Sequence, residues 1–274
     1  MITAGFDIGT RAFKICLVED TRLMAGVCRL ADRNLEQSIR HAYKQLLEDQ
    51  GIHKRHVKKV IATGYGADLV DIAAYELSEP ACLARAAYQL DRELDTLIDI
   101  GALFIRIVKI DENGYLEDSD VNEPCAAGSG KFLELAAEAL AVPFEDISAI
   151  AARSLTPYTI TSTCAVFAES EIISQINAGV SCEDILAGVL DALVFKVQAL
   201  LGKTGAIGSK LALTGGVANV PGVRVKLAAV LGKDVIALPL DPQLVPAYGA
   251  ALLAQGPLRR RFSGETDVSR ATPA

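Results

Sequence analysis

The chain has 274 residues and carries 34 acidic against 27 basic side chains, a net charge of −7, so it lacks the electrostatic footprint of a protein that binds nucleic acid or an anionic membrane. At 51% hydrophobic and 22% charged it can bury well-formed cores, and its length suits two domains better than one. No apolar run approaches the ~20 residues of a membrane span, and the opening MITAGFDIG reads as a first strand instead of a signal peptide, so a cytoplasmic protein is expected.

Strand and helix patterns alternate along the chain, the signature of an α/β protein. Residues 3–9 and 13–18 read as two strands around a Gly-Thr turn. From Arg33 to Gln50, Leu35, Ile39, Tyr43, Leu46 and Leu47 recur on one side of a helix that Gly51 stops. Val60 to Thr63 is a short buried strand ending in Thr63-Gly64-Tyr65-Gly66, and Asp68 to Glu76 is expected to be helical.

Residues 122–132, NEPCAAGSGKF, place Cys125 ahead of a Gly-Ser-Gly turn. A Walker-type phosphate loop would need glycine at 125 and Ser or Thr at 132, and those positions hold Cys125 and Phe132. What remains is a helix start, with Ser129 as N-cap and Phe132, Leu133, Ala136, Ala137 and Leu140 on one apolar face. Cys125 then sits near the positive end of a helix dipole, where thiolate and anionic ligands are favoured, although the plainer reading of a lone cysteine is a small buried hydrophobe. A second lone cysteine, Cys164, precedes a helix in residues 160–171, with Ser162 or Thr163 available to cap it.

Cys16 and Cys28 fall in strand-like runs, Cys82 and Cys182 at or near helix starts, and all four read as structural. With no C-x-x-C pair, a zinc ribbon and a secreted disulfide framework are both disfavoured, and any metal site must be assembled from distant segments or from two chains. Farther on, Leu211–Thr214 is a strand breaking into Gly215-Gly216 before a helix that Pro221 helps to start, and Tyr248 to Ala254 is a small-residue helix suited to close packing. Residues 257–274, with Arg259-Arg260-Arg261 followed by Ser, Thr and Pro, are expected to be a disordered end; a basic docking patch is the alternative.

An internal repeat carries more weight than any of these. Asp7-Ile8-Gly9 and Asp99-Ile100-Gly101 each open a strand–turn–strand pattern, with Lys14 matching Arg106 and Ile15 matching Ile107, which suggests two domains of similar fold. Glycine lets backbone N–H groups approach phosphate oxygens, a nearby threonine hydroxyl adds a donor, and a carboxylate at the strand end can hold hydrated magnesium. Two such turns would grip a polyphosphate from both sides.

The order Asp-x-Gly-Thr, second Asp-x-Gly, Thr-Gly-Gly and Gly-Ala-Ala resembles the ATP-binding superfamily of actin, the heat-shock chaperones and the sugar kinases. That resemblance implies two ribonuclease H-like domains closing on Mg-ATP or Mg-ADP: residues 1–95 joined by a C-terminal helix 246–256, and residues 96–245. It places Asp7 and Asp99 in catalytic positions, Gly9, Thr10 and Arg11 in the first phosphate turn, Gly101 and Ala102 in the second, and Thr214, Gly215, Gly216 and Ala218 near the nucleoside.

NEPCAAGSGKFLE together with STCAVFAESEIIS, preceded by ATGYG, is similar to the BadF/BadG/BcrA/BcrD ATPase family, the activators of 2-hydroxyacyl-CoA dehydratases and the electron-activating subunits of benzoyl-CoA reductase. The resemblance implies that Cys125 and Cys164 ligate one [4Fe–4S] cluster shared between two chains, either copies of this one or paralogues. It further implies catalytic acyl-CoA reductase or dehydratase subunits as partners, and a low-potential donor such as ferredoxin. The family's activators usually carry Gly-Gly-Gln-Asp after the second Asp-Ile, where this chain has Gly101-Ala102-Leu103-Phe104. This apolar version resembles the D-type subunit of benzoyl-CoA reductase. It favours a heteromeric subunit over a stand-alone homodimeric activator, and points to the paralogous partner for most of the hydrolytic work. A sugar or acid kinase, or an actin-like assembly protein, would explain the turns and leave the two cysteine-led helices without a purpose. Glu169 and Glu171 read as solvating the second helix start, and Lys131 as a solvated first-turn lysine.

Overall fold

The structure is a computed structural model and describes residues 1–124, 129–162, 164–205 and 207–256. They divide into two compact units, Met1–Cys82 with the chain from Pro246 onward, and Leu83–Val245.

In the first unit β1 (Ile2–Ile8), β2 (Ala12–Glu19) and β3 (Arg22–Leu30) form an antiparallel meander. β1 and β2 read as near-continuous apolar runs because both of their faces are covered. Helix α1 (Leu35–Asp49) lays Ile39, Ala42, Tyr43, Leu46 and Leu47 into the core, where the Phe6 and Tyr43 rings meet edge to face at 5.1 Å. β4 (Val60–Thr63) then runs parallel to β1, and β5 (Tyr75–Glu76) parallel to β4, giving the order β3-β2-β1-β4-β5. The helix expected over Asp68–Glu76 is not formed: Ala67–Leu69 makes one 3₁₀ turn, and Tyr75 and Glu76 pair with Ile61 and Ala62. An open sheet edge outcompetes local helical preference there.

Helix α2 (Glu79–Leu90) straddles the division and leads into the second unit. Its β6 (Thr96–Ile100), β7 (Ile105–Ile110) and β8 (Leu116–Val121) repeat the antiparallel meander. Helices α3 (Gly130–Leu140), α4 (Ile147–Ala151), α5 (Ala165–Asn177) and α6 (Cys182–Thr204) follow, then β9 (Leu211–Thr214), α7 (Pro221–Leu231) and β10 (Val235–Ala237). The sheet order β8-β7-β6-β9-β10 reproduces the first sheet strand for strand, with the same two antiparallel and two parallel pairings. Contrary to the expectation that no segment approaches a membrane span, α6 is long and apolar enough by length and composition, but Ile185, Leu186, Leu193, Val197 and Leu201 are buried in this unit's aliphatic core.

Helix α8 (Val245–Leu253) returns the chain to the first unit. Gly5 lies directly against the backbone of Ala247 and Ala251, so a side chain at that strand position would collide with the helix. The Thr3 hydroxyl donates to the Ala251 carbonyl at 2.8 Å and fixes the contact.

Candidate functional site

Each unit presents a turn of the same construction. In the first, Asp7 faces Lys14 across the β1–β2 hairpin, and Lys14 Nζ donates to Asp7 Oδ2 at 2.9 Å. Burial pulls the Lys14 ammonium pKa down, but the charge and hydrogen bond of Asp7 outweigh it and the net shift is upward. Asp7 is 1% exposed, and its Oδ1 is buried without a hydrogen-bond partner among the described residues. The Gly9 N–H closes the turn on the Ala12 carbonyl at 3.1 Å, leaving Thr10 and Arg11 exposed at its tip. A buried, unpartnered carboxylate oxygen beside a glycine turn fits the inner face of a hydrated magnesium–phosphate site.

In the second unit Asp99 faces Arg106, whose guanidinium donates to Asp99 Oδ2 at 3.3 Å, and the Gly101 N–H bonds the Phe104 carbonyl at 2.8 Å. The backbone of the Gly101-Ala102-Leu103-Phe104 turn therefore closes as the first one does.

The duplication extends past the residues that the sequence motifs single out. Thr63 pairs with Asp7 across β1 and β4, and Thr214 pairs with Asp99 across β6 and β9. Both hydroxyls donate to backbone carbonyls, Thr63 to Leu77 at 2.8 Å and Thr214 to Pro242 at 2.7 Å. Each threonine is followed by a glycine at positive φ, Gly64 at 89° and Gly215 at 84°, packed against the aspartate and the carbonyl of the isoleucine after it. Only glycine fits that conformation and that gap. The repeated Thr-Gly at a strand end was the available signal, but its two copies lie at very different distances along the chain from their aspartates. After Gly215, Gly216–Asn219 forms a 3₁₀ turn that leaves Gly216 and Ala218 half-exposed.

The second turn is joined to the helix that follows the first cysteine motif. Ser129 Oγ donates to the Ala102 carbonyl at 2.6 Å, and the Gly130 and Lys131 N–H groups bond the Gly101 and Ala102 carbonyls at 2.9 and 3.0 Å. Ser129 holds the N-cap position as expected, yet its side chain accepts no capping bond in α3, and its hydroxyl donates to the turn carbonyl of Ala102. Lys131 pairs with Glu134 at 3.1 Å. Cys125 lies outside the described residues, as does Thr163.

Cys164 is exposed and is itself the N-cap of the 13-residue α5, and its own side chain makes no capping bond. Its position sets the sulfur near the positive end of the helix dipole, where a negatively charged ligand is favoured. Ser162, expected as a cap, instead gives its N–H to Glu171 at 2.9 Å. Glu171 likewise departs from its expected solvating role: it gathers Tyr158, Thr161 and Ser162, and although burial raises its pKa, those hydrogen bonds prevail and bring it to about 2. Cys16 and Cys82 are fully buried. Among the described residues no three His, Cys, Asp or Glu side chains within the chain converge to hold a metal ion.

Residues 4–254 match the BadF/BadG/BcrA/BcrD ATPase family. The chain belongs to this family. It is 34% identical to the (R)-2-hydroxyglutaryl-CoA dehydratase activating ATPase of Acidaminococcus fermentans, over 92% of this chain and 96% of that one. It is also 34% identical to the D-type subunit of benzoyl-CoA reductase from Thauera aromatica, over 79% of this chain and 78% of that one. The solved activator of the 2-hydroxyisocaproyl-CoA dehydratase from Clostridium difficile, with bound ADPNP, superposes with a TM-score of 0.85 at 33% identity, covering 93% of this chain and 94% of that one. A ROK family glucokinase from Streptomyces griseus shares the fold at a TM-score of 0.61 and 16% identity, covering 93% of this chain and all of that one. The paired α/β units of this BadF/BadG/BcrA/BcrD ATPase thus share their fold with that glucokinase.

Proposed function

We propose that this ATPase is an electron-activating protein that couples ATP hydrolysis to delivery of a low-potential electron to an acyl-CoA dehydratase or reductase. The observation that carries the reading is Cys164, an exposed thiol at the N-cap of a 13-residue helix in a chain of this family. Asp7, with a buried unpartnered oxygen, would hold the hydrated magnesium of Mg-ATP, and the turns at Gly9–Arg11 and Gly101–Ala102 would meet its phosphates. Cys125 and Cys164 from each of two chains would ligate a [4Fe–4S] cluster, which when bound supplies a one-electron carrier. Phe167, one turn along α5 from Cys164, is 69% exposed, as a surface covered by a second chain would be.

Ala102, Leu103 and Phe104 in the second turn support a benzoyl-CoA reductase component paired with a paralogue and fed by a ferredoxin-like donor. The second reading, a homodimeric dehydratase activator, is favoured by the greater span of the match to the dehydratase activating ATPase, 92% of the chain against 79% for the benzoyl-CoA reductase relative. Iron and acid-labile sulfide are to be measured on protein purified without oxygen, alone and after co-expression with a paralogue. About four irons per two chains are expected for a cluster of this type. Iron bound by this chain alone supports the homodimer, and iron bound only after co-expression supports the heteromer. Iron-free protein in both states would return the chain to a kinase-like ATPase.

A further inference from the structure

We infer that Glu171 is the positioning residue for Cys164, fixing the direction from which that thiol meets its ligand; the inference rests on Cys164 as a cluster ligand. Glu171 stands seven residues after Cys164, so it lies two helical turns along the same face of α5. Its carboxylate faces back onto the chain that delivers the cysteine. Oε1 accepts from the Tyr158 hydroxyl at 3.0 Å, the Thr161 N–H at 2.9 Å and the Thr161 hydroxyl at 3.0 Å, and Oε2 accepts from the Ser162 N–H at 2.9 Å.

One side chain therefore folds residues 158–162 against the helix that Cys164 begins. The Tyr158 N–H is separately bonded to the Asp184 carbonyl at 2.9 Å, so the far end of the segment is fixed on α6 and the near end on Glu171. Only residue 163 separates Ser162 from the thiol-bearing residue, which is itself exposed. Without Glu171, two adjacent backbone N–H groups lose their acceptors, and the chain ahead of Cys164 keeps no other bond from residues 161 and 162 among those the structure describes. A metal ligand on such a segment needs an outer partner to hold its geometry, and removing partners of this kind typically costs about 10-fold to 100-fold in metal affinity.

The test uses full-length protein with Glu171→Ala and the milder Glu171→Gln, which keeps the volume and one acceptor oxygen. In iron-free protein the rate of iodoacetamide alkylation at Cys164 is mapped by mass spectrometry, with Cys182 as internal reference. After anaerobic reconstitution, the rate of iron loss to a chelator and the EPR spectrum of the reduced protein are recorded. Expected are a several-fold change in Cys164 alkylation with Cys182 unchanged, iron loss faster by ~10-fold in Glu171→Ala, shifted g-values, and intermediate behaviour of Glu171→Gln. Wild-type alkylation, iron retention and spectra in the variants would overturn the inference; if Glu171→Ala does not fold, Glu171→Gln decides alone. Failure of the cluster reading looks different: wild type without iron, or Cys164→Ser with as much iron as wild type. In that case the alkylation rates, which need no iron, still decide whether Glu171 positions Cys164.

Discussion

At the scale of single residues, the Asp7–Lys14 pair combines two demands on one carboxylate. Oδ2 neutralises a lysine whose side chain is 14% exposed, while Oδ1 is buried and makes no hydrogen bond among the described residues, as the proposed magnesium site would need. Removing one member of a buried pair strands the other, at about 3 kcal/mol. Asp7→Ala is therefore expected to lower stability by that amount in urea unfolding. Charge-assisted contacts of about 1.5–3 kcal/mol would also be lost from Mg-ATP binding, weakening it by roughly 10-fold to 100-fold in calorimetry. Asp7→Asn, which keeps the shape, should spare more stability than affinity. Unchanged affinity in both variants would take Asp7 out of the nucleotide site.

Between elements, three contacts set how helices meet turns and strands. Gly5→Ala would drive a methyl group into the backbone of α8, and overpacking of this kind costs about 1–3 kcal/mol, readable as a lower urea midpoint. Ser129→Ala removes the hydroxyl bond between α3 and the Ala102 carbonyl, at about 1 kcal/mol. The bonds to Glu171 give a pH signature. The carboxyl has its ordinary value of 4.5 in the unfolded chain and is brought to about 2 in the folded one, so its stabilising effect is complete above 4.5 and is lost as pH falls through 2. Glu171→Gln should thus melt below wild type at neutral pH, and the gap should close between pH 4.5 and 2. A gap that stays constant across that range would mean the carboxylate charge is not what holds residues 158–162.

For the whole molecule, the proposed function would make cluster binding and the pairing of chains one equilibrium, since each chain would supply two of the four thiolates. Stripping iron with a chelator is expected to shift the protein toward monomers in light scattering, and Cys164→Ser to do the same without a chelator; a dimer indifferent to both would separate pairing from metal binding. How much of this was legible in the sequence follows from how far apart the partners lie along the chain. The match of Asp7 and Lys14 to Asp99 and Arg106 was visible as a repeat because each pair lies seven residues apart within one hairpin, although that the two side chains meet was seen only in the structure. The family was visible for the same reason, in short motifs around Cys125 and Cys164. The match of Thr63-Gly64 to Thr214-Gly215 was not, since parallel strands are joined by crossovers of unequal length, and α3 to α7 are distributed unequally between the units. Tyr75 and Glu76 joined a sheet edge against their local helical preference. Ser129 and Glu171 followed the same logic: local capping rules assigned them to their own helices, but folding brought backbone groups of other segments, the Ala102 carbonyl and the Thr161 and Ser162 N–H groups, within their reach. The sequence by itself determined the repeated turns and the family, because those are written in neighbouring residues. Only the tertiary structure decided which polar groups those side chains satisfy, because a buried or half-buried donor takes whichever acceptor the fold brings to it.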